Sequence, residues 1–109
     1  MNLFKIMEIK IDLNKITNEQ DLLQILGEAL GYKAENIWGK NWDAFKDILG
    51  YLETGGIYGT NEIISDPITL IFENYHEFKH QMPKDFNILW SILNENKKEY
   101  PDFDFKFIE

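Results

Sequence analysis

The chain has 109 residues and no cysteine, and its nineteen acidic residues outnumber eleven basic ones for a formal net charge of −8. All the basic residues are lysines, so it lacks the bidentate guanidinium favoured for phosphate recognition and any basic footprint for nucleic acid. Without cysteine there is no disulfide framework, thiolate metal site or thiol nucleophile, while 44% hydrophobic and 15% aromatic content argue for one packed domain over 1–109 rather than disorder.

The opening residues carry Lys5 and Glu8 where a signal peptide needs an apolar core. No apolar run reaches membrane-spanning length, so the expectation is a cytoplasmic protein with no membrane partner. Met7, Ile9, Ile11 and Leu13 alternate with Glu8, Lys10 and Asp12, the period of a half-buried strand. Thr17 and Asn18 can cap the next element, with Gln20 placed for a Thr-x-x-Gln capping box. Leu22, Ile25, Leu26, Ala29 and Leu30 form a helical apolar stripe, closed by Gly31. A loop through Lys33, Asn36 and Gly39 follows.

Residues 41–52 predict a second helix with two distinct faces. Trp42, Phe45, Ile48, Leu49 and Leu52 fall on one arc, and Asp43, Lys46, Asp47 and Gly50 on another. Asn41 is a suitable N-cap. Asp43 in the first turn is favoured by the helix dipole, but Asp47 lies beyond its reach and has no such local explanation.

The glycines and Asn61 of residues 53–66 mark a long loop, with a short strand expected at Glu62 to Ile64. Gly55-Gly56-Ile57-Tyr58-Gly59 lacks the Lys-Ser/Thr ending of a phosphate loop. After Pro67, the run Ile68 to Phe72 reads as a strand covered on both faces. A short helix from Asn74 to about Gln81 precedes Pro83, which suits the first turn of a further helix over about 84–97. Phe86, Leu89, Trp90 and Leu93 are its expected core stripe. Beyond Pro101, Phe103, Phe105 and Phe107 alternate with Asp102, Asp104 and Lys106 as a last strand.

Strands separated by helices predict an α/β fold, a small three-stranded parallel sheet flanked by about four helices. Its helices should cover one face and part of the other. The pattern does not specify strand order.

Two sites can be weighed from the residues. His76-Glu77-Phe78-Lys79-His80 is a literal His-Glu-x-x-His, the helical zinc motif of metalloproteases. The helix has barely two turns before Pro83, Lys79 fits poorly between the ligands, and no third histidine exists. The reading is therefore a surface helix with Phe78 inward and solvated histidines: no metal, no cofactor, no catalytic residue. Asp43 and Asp47, one turn apart on an open helix, lack the burial that acid–base catalysis needs.

The run Ile37-Trp-Gly-Lys-Asn-Trp-Asp-Ala-Phe-Lys-Asp-Ile-Leu49 resembles the signature helix of the barstar family, small intracellular inhibitors of barnase-type microbial ribonucleases. The family pattern, aromatic–Gly–x–Asn–apolar–Asp–Ala–apolar–x–Asp–x–Leu, is met at each fixed position. The order strand, two helices, strand, two helices, strand resembles the family fold, so the likeness covers nearly the whole chain.

The resemblance implies a one-to-one protein inhibitor, not an enzyme, with a basic ribonuclease or toxin domain as partner. It would act as an immunity protein that inserts the second helix into the active site in place of substrate phosphate. Asp47 matches the principal anion and Asp43 its support, Asn41 a rim residue, and Ile37 and Trp38 a pair of loop aromatics. Aligning the last strand at Phe103 places Glu95 and Glu99 at two further acidic contacts. With Gly39, Trp42, Lys46 and Gly50 these complete the expected partner-binding set. Lys46 stands where the type member has an aromatic, Ile37 replaces another, and the 54–66 loop is longer than the family's. The rival readings are an acidic interaction module with a different target, and a small zinc hydrolase using His76, Glu77 and His80.

Overall fold

The computed structural model describes residues 7–32, 39–54 and 67–109, with 51–54 as backbone only. The order is β1 (Met7–Asp12), α1 (Glu19–Ala29), α2 (Trp42–Thr54), β2 (Ile68–Glu73), α3 (Tyr75–Gln81), α4 (Pro83–Glu99) and β3 (Phe103–Ile108). The predicted strand at Glu62 to Ile64 lies outside the described residues.

The three strands form a parallel sheet in the order β1-β2-β3. Met7 pairs with Ile68 and Ile68 with Phe103; at the other end Ile11, Phe72 and Phe107 stand in line. Side chains alternate across a strand, so this register gathers Met7, Ile9, Ile11, Ile68, Leu70, Phe72 and the three phenylalanines of β3 on one face. All the buried strand residues of the main core, Ile11, Ile68, Leu70, Phe72 and Phe103, come from that set. They pack with Leu22, Leu26, Phe45, Leu49, Leu89 and Leu93 of the helices.

A strand order that steps in one direction explains this one-sidedness. Right-handed crossovers that advance the same way deliver their helices to the same face. Among the described residues, the buried helical side chains join the Ile68–Leu70–Phe72 face only. This corrects the expectation that helices also reach part of the second face. That face carries exposed Glu8, Lys10, Asp104 and Lys106, with Ile71 between Lys10 and Lys106 in register. Ile71 is nonetheless only 4% exposed, so β2 is covered on both faces as its continuous apolar run implies. Long lysine stems beside it are suited to lie over such a residue.

Helix boundaries follow local chemistry, with two adjustments. The cap of α1 is Asn18, whose Oδ1 accepts the Asp21 amide at 2.9 Å while its Nδ2 donates to Asp21 Oδ2 at 3.0 Å. The reciprocal box therefore sits one residue later than Thr17–Gln20. In α4 the core stripe is Phe86, Leu89, Ile92 and Leu93, while Trp90 is 45% exposed. At about 100° per residue the other four span an arc that Trp90 overshoots, so Ile92 takes the place assigned to it. Gly31, with φ 96°, ends α1 in the left-handed region as expected. No helix among the described residues is long and apolar enough to cross a membrane.

Candidate protein-interaction site

The second helix begins where the sequence says it should. The Ala44 amide donates to Asn41 Oδ1 at 2.8 Å, and the Phe45 amide to the Asn41 carbonyl at 2.9 Å. Asn41 Nδ2 turns back to the Gly39 carbonyl at 3.2 Å. Gly39 is required by this closeness: a Cβ there would stand 2.9 Å from Asn41 Nδ2 and 3.0 Å from Ala44 Cβ.

Inward, Phe45 and Leu49 are fully buried and Ile48 nearly so. Trp42 is half-buried and meets Phe45 edge-on, with ring centroids 6.0 Å apart. It belongs mainly to the packing, yet its indole Nε1 is buried without a hydrogen-bond partner. Outward, Asp43, Lys46 and Asp47 are exposed. For Trp42, Phe45, Ile48 and Leu49 inward and Asp43, Lys46 and Asp47 outward, the faces read from the sequence are those of the folded helix, while Gly50 is half-buried and the side chain of Leu52 lies outside what the structure describes.

Tertiary packing adds what the sequence of α2 cannot show. α2 lies against α4, and the near end of α4 is marked by Tyr100, whose Oη would be 3.9 Å from a Cβ on Gly50. Between the helices runs an open groove of about 150 Å³ lined by Lys46, Leu49, Ile92, Glu95, Asn96 and Glu99. Glu95 and Glu99 are exposed and one turn apart. The structure therefore brings Lys46 together with Glu95 and Glu99, residues some fifty positions on. Ile37 and Trp38 lie outside the described residues. Ile92 and Asn96, which line the groove, were not among the expected site residues. Asn96 Nδ2 is buried and unpartnered, and no pattern in the sequence distinguishes this asparagine.

The charges of this flank have no partners among the described residues. Among the described residues the ion pairs are His76 with Glu109 and Lys97 with Asp104, and Asp43, Lys46, Asp47, Glu95 and Glu99 take part in neither. Four carboxylates and one ammonium are thus held on two packed helices without an ion pair among the described residues.

The His-Glu-x-x-His helix is arranged differently. Phe78 is buried at 2% exposure, and both histidines are exposed. His76 Nδ1 lies 2.7 Å from Glu109 Oε1 on the terminal strand. The Lys79 ammonium sits over the Phe86 ring, 5.1 Å from its centroid. No three of His, Asp and Glu converge on a metal-sized position among the described residues. The short α3 gives the two imidazoles a shallow concavity shared with Tyr75, Lys79 and Pro83, not the floor of a cleft.

A comparison with protein-family models matches residues 6–108 to the family described as barstar (barnase inhibitor). The chain belongs to the barstar family. The three-stranded parallel sheet and four helices among the described residues agree with that membership, as does the signature run 37–49 of the sequence. No curated protein matches the chain significantly by sequence. Members of this family are ribonuclease-binding inhibitors, so the family supplies the kind of partner, a barnase-type ribonuclease.

Proposed function

We infer that this chain is an inhibitor of a small basic microbial ribonuclease or ribonuclease-type toxin, binding it one-to-one and covering its active site with α2 and the adjoining end of α4. In this reading it is the immunity partner of that toxin, protecting the cytoplasm of the cell that makes both. The observation that carries the reading is the acidic flank: Asp43, Asp47, Glu95 and Glu99 are exposed, without ion pairs among the described residues, on helices whose opposite faces are buried.

A ribonuclease active site is a cluster of cations built to hold phosphate. Carboxylates on a helix can take the phosphate positions without a backbone-ordering cost, because the helix is already formed. The field of a chain with net charge −8 adds long-range attraction to a basic partner, and salt screens it. Once the two surfaces meet, each carboxylate is withdrawn from water against a cation, and removing either member strands the other. Barnase and barstar are themselves among the systems on which these generalities rest.

Within the proposed site, Asp47 is the central anion and Asp43 its neighbour one turn earlier. Asn41 and Gly39 contribute the helix start, Ile37 and Trp38 the loop before it, and Trp42 and Gly50 the close approach. Glu95 and Glu99 form the second acidic pair.

The test is a titration of small microbial ribonucleases with the purified chain. Inhibition should reach a sharp one-to-one endpoint, with an association rate that falls as salt rises. If no ribonuclease of the barnase type is inhibited, the chain is an acidic interaction module with another target.

A further inference from the structure

Lys46 is the residue of this flank that an anion mimic does not need. On α2 it lies between the inward residues Trp42 and Leu49 and the outward pair, with Asp43 about 60° and Asp47 about 100° further round the helix. Across the groove stand Glu95 and Glu99. The surface therefore reads negative, positive, negative, with Lys46 between two acidic pairs.

Although surrounded by carboxylates, the Lys46 ammonium pairs with none of them among the described residues. A free ammonium is well solvated on an open surface. Covered by a partner it must find an acceptor there, because burying an unpaired charge is strongly unfavourable. A partner wall that is uniformly basic would set like charge against it and be rejected. The complement of this flank is a wall of two cationic patches with an anion between them.

The chemistry of RNA cleavage supplies such a wall. Attack by the 2′-hydroxyl needs a general base to take its proton, and a carboxylate in that role works among the cations that hold the phosphate. Resting on the inhibitor reading above, we propose that Lys46 is the specificity-determining residue of this interface, pairing with a carboxylate general base of the target ribonuclease while the two acidic pairs engage the cations on either side. The chain thereby selects ribonucleases with a carboxylate base over those whose base is a histidine.

The experiment is a double-mutant cycle with a barnase-type ribonuclease whose general base is a glutamate. The chain carries Lys46→Met, the enzyme carries Glu→Gln at the base, and binding is read by calorimetry because the enzyme variant is inactive. Either change alone should weaken binding tenfold or more, and the two together should cost little more than one. Lys46→Arg should keep most of the affinity. Unfolding midpoints of the Lys46 variants should match the parent, since the side chain is exposed and unpaired. Equal or tighter binding by Lys46→Met, or independent additive losses, overturns the assignment of Lys46 while leaving the inhibitor reading intact. Absence of binding by the folded parent chain and by Lys46→Met alike overturns the inhibitor reading, and this inference with it.

Discussion

Where the strands end, Asp12 accepts from Asn74 Nδ2 and from the Asn14 amide, both at 2.8 Å, while at the start of β3 Asp104 accepts from Lys97 Nζ at 2.7 Å and from the Phe105 amide at 2.8 Å. On α2 and α4, by contrast, Asp43, Asp47, Glu95 and Glu99 have no such partners among the described residues. The same residue types serve opposite purposes. At the sheet, Asp12 and Asp104 are each matched by a donor of the chain, and the first pairing ties segments distant in sequence: Asn74 adopts a left-handed φ of 57° at the end of β2 and reaches the last residue of β1. A carboxylate whose partner is internal contributes to folding; in the proposed reading, those left unpaired on α2 and α4 contribute to encounter and binding.

That contrast can be broken most forcefully at α2, where the inner and outer faces of one helix should fail in different ways. Phe45→Ala removes a fully buried ring and should destabilise the fold by about 3–5 kcal/mol, seen as a large drop in the urea midpoint. If stability hardly changes, α2 is not anchored as described. Asp47→Ala should leave the midpoint within about 0.5 kcal/mol of the parent and weaken ribonuclease binding by about 3 kcal/mol or more. Unfolding of that variant, or undiminished inhibition, would end the assignment of Asp47 as the principal anion.

A smaller effect in the opposite sense is expected at the first helix. Asn18→Ala deletes the cap that accepts the Asp21 amide and should cost about 1 kcal/mol of stability with inhibition unchanged once the protein is folded. Equal loss of binding would mean that the α1 end communicates with the interface.

The smallest effect is the acid dependence of stability. Asp12 is held below the ordinary carboxylate value of 3.8, chiefly by the Asn74 hydrogen bond and then by the Asn14 amide; Asp104 is lowered by Lys97 first and the Phe105 amide second. Because both folded-state values are depressed, their contribution is present above the unfolded value and disappears as pH falls through the lowered ones. Urea midpoints should therefore be insensitive to these two groups from neutral pH to about pH 5 and decline below about pH 4. Both groups are solvent-exposed, so the effect is modest. Asp12→Asn should flatten the acid limb; an unchanged limb would show that the Asn74 bond does not discriminate between the charged and neutral carboxyl.

Much of this molecule is legible from local pattern. Asn41 announces the start of α2, Gly31 the end of α1, and the alternations at 7–13 and 103–107 mark strands, because these signals depend on residues within a turn or two of one another. The spacing of Asp43 and Asp47 follows from helical pitch, and the family run 37–49 is contiguous. Trp90 shows the limit of such reading: a hydrophobic residue near the edge of an apolar arc is inside or outside according to where the neighbouring elements lie, and Ile92 was better placed toward them. The His-Glu-x-x-His motif shows the same limit for polar residues. Its spacing is that of a metal site, but the setting gives His76 a carboxylate from the far end of the chain and leaves both rings at the surface.

The amino-acid sequence determined the elements, their amphipathic faces, the excess of negative charge and membership of a ribonuclease-inhibitor family, all properties carried by near neighbours along the chain or by composition. Only the tertiary structure decided that the strands advance in the order β1-β2-β3, that the helical core among the described residues lies on one face of the sheet, and that α4 lies beside α2. Strand order depends on pairings such as Met7 with Ile68 and Ile68 with Phe103, between residues far apart in the chain, which no local period encodes. It is that order which sets Glu95 and Glu99 across a groove from Lys46 and turns a helix with two aspartates into a surface with a pattern of charge.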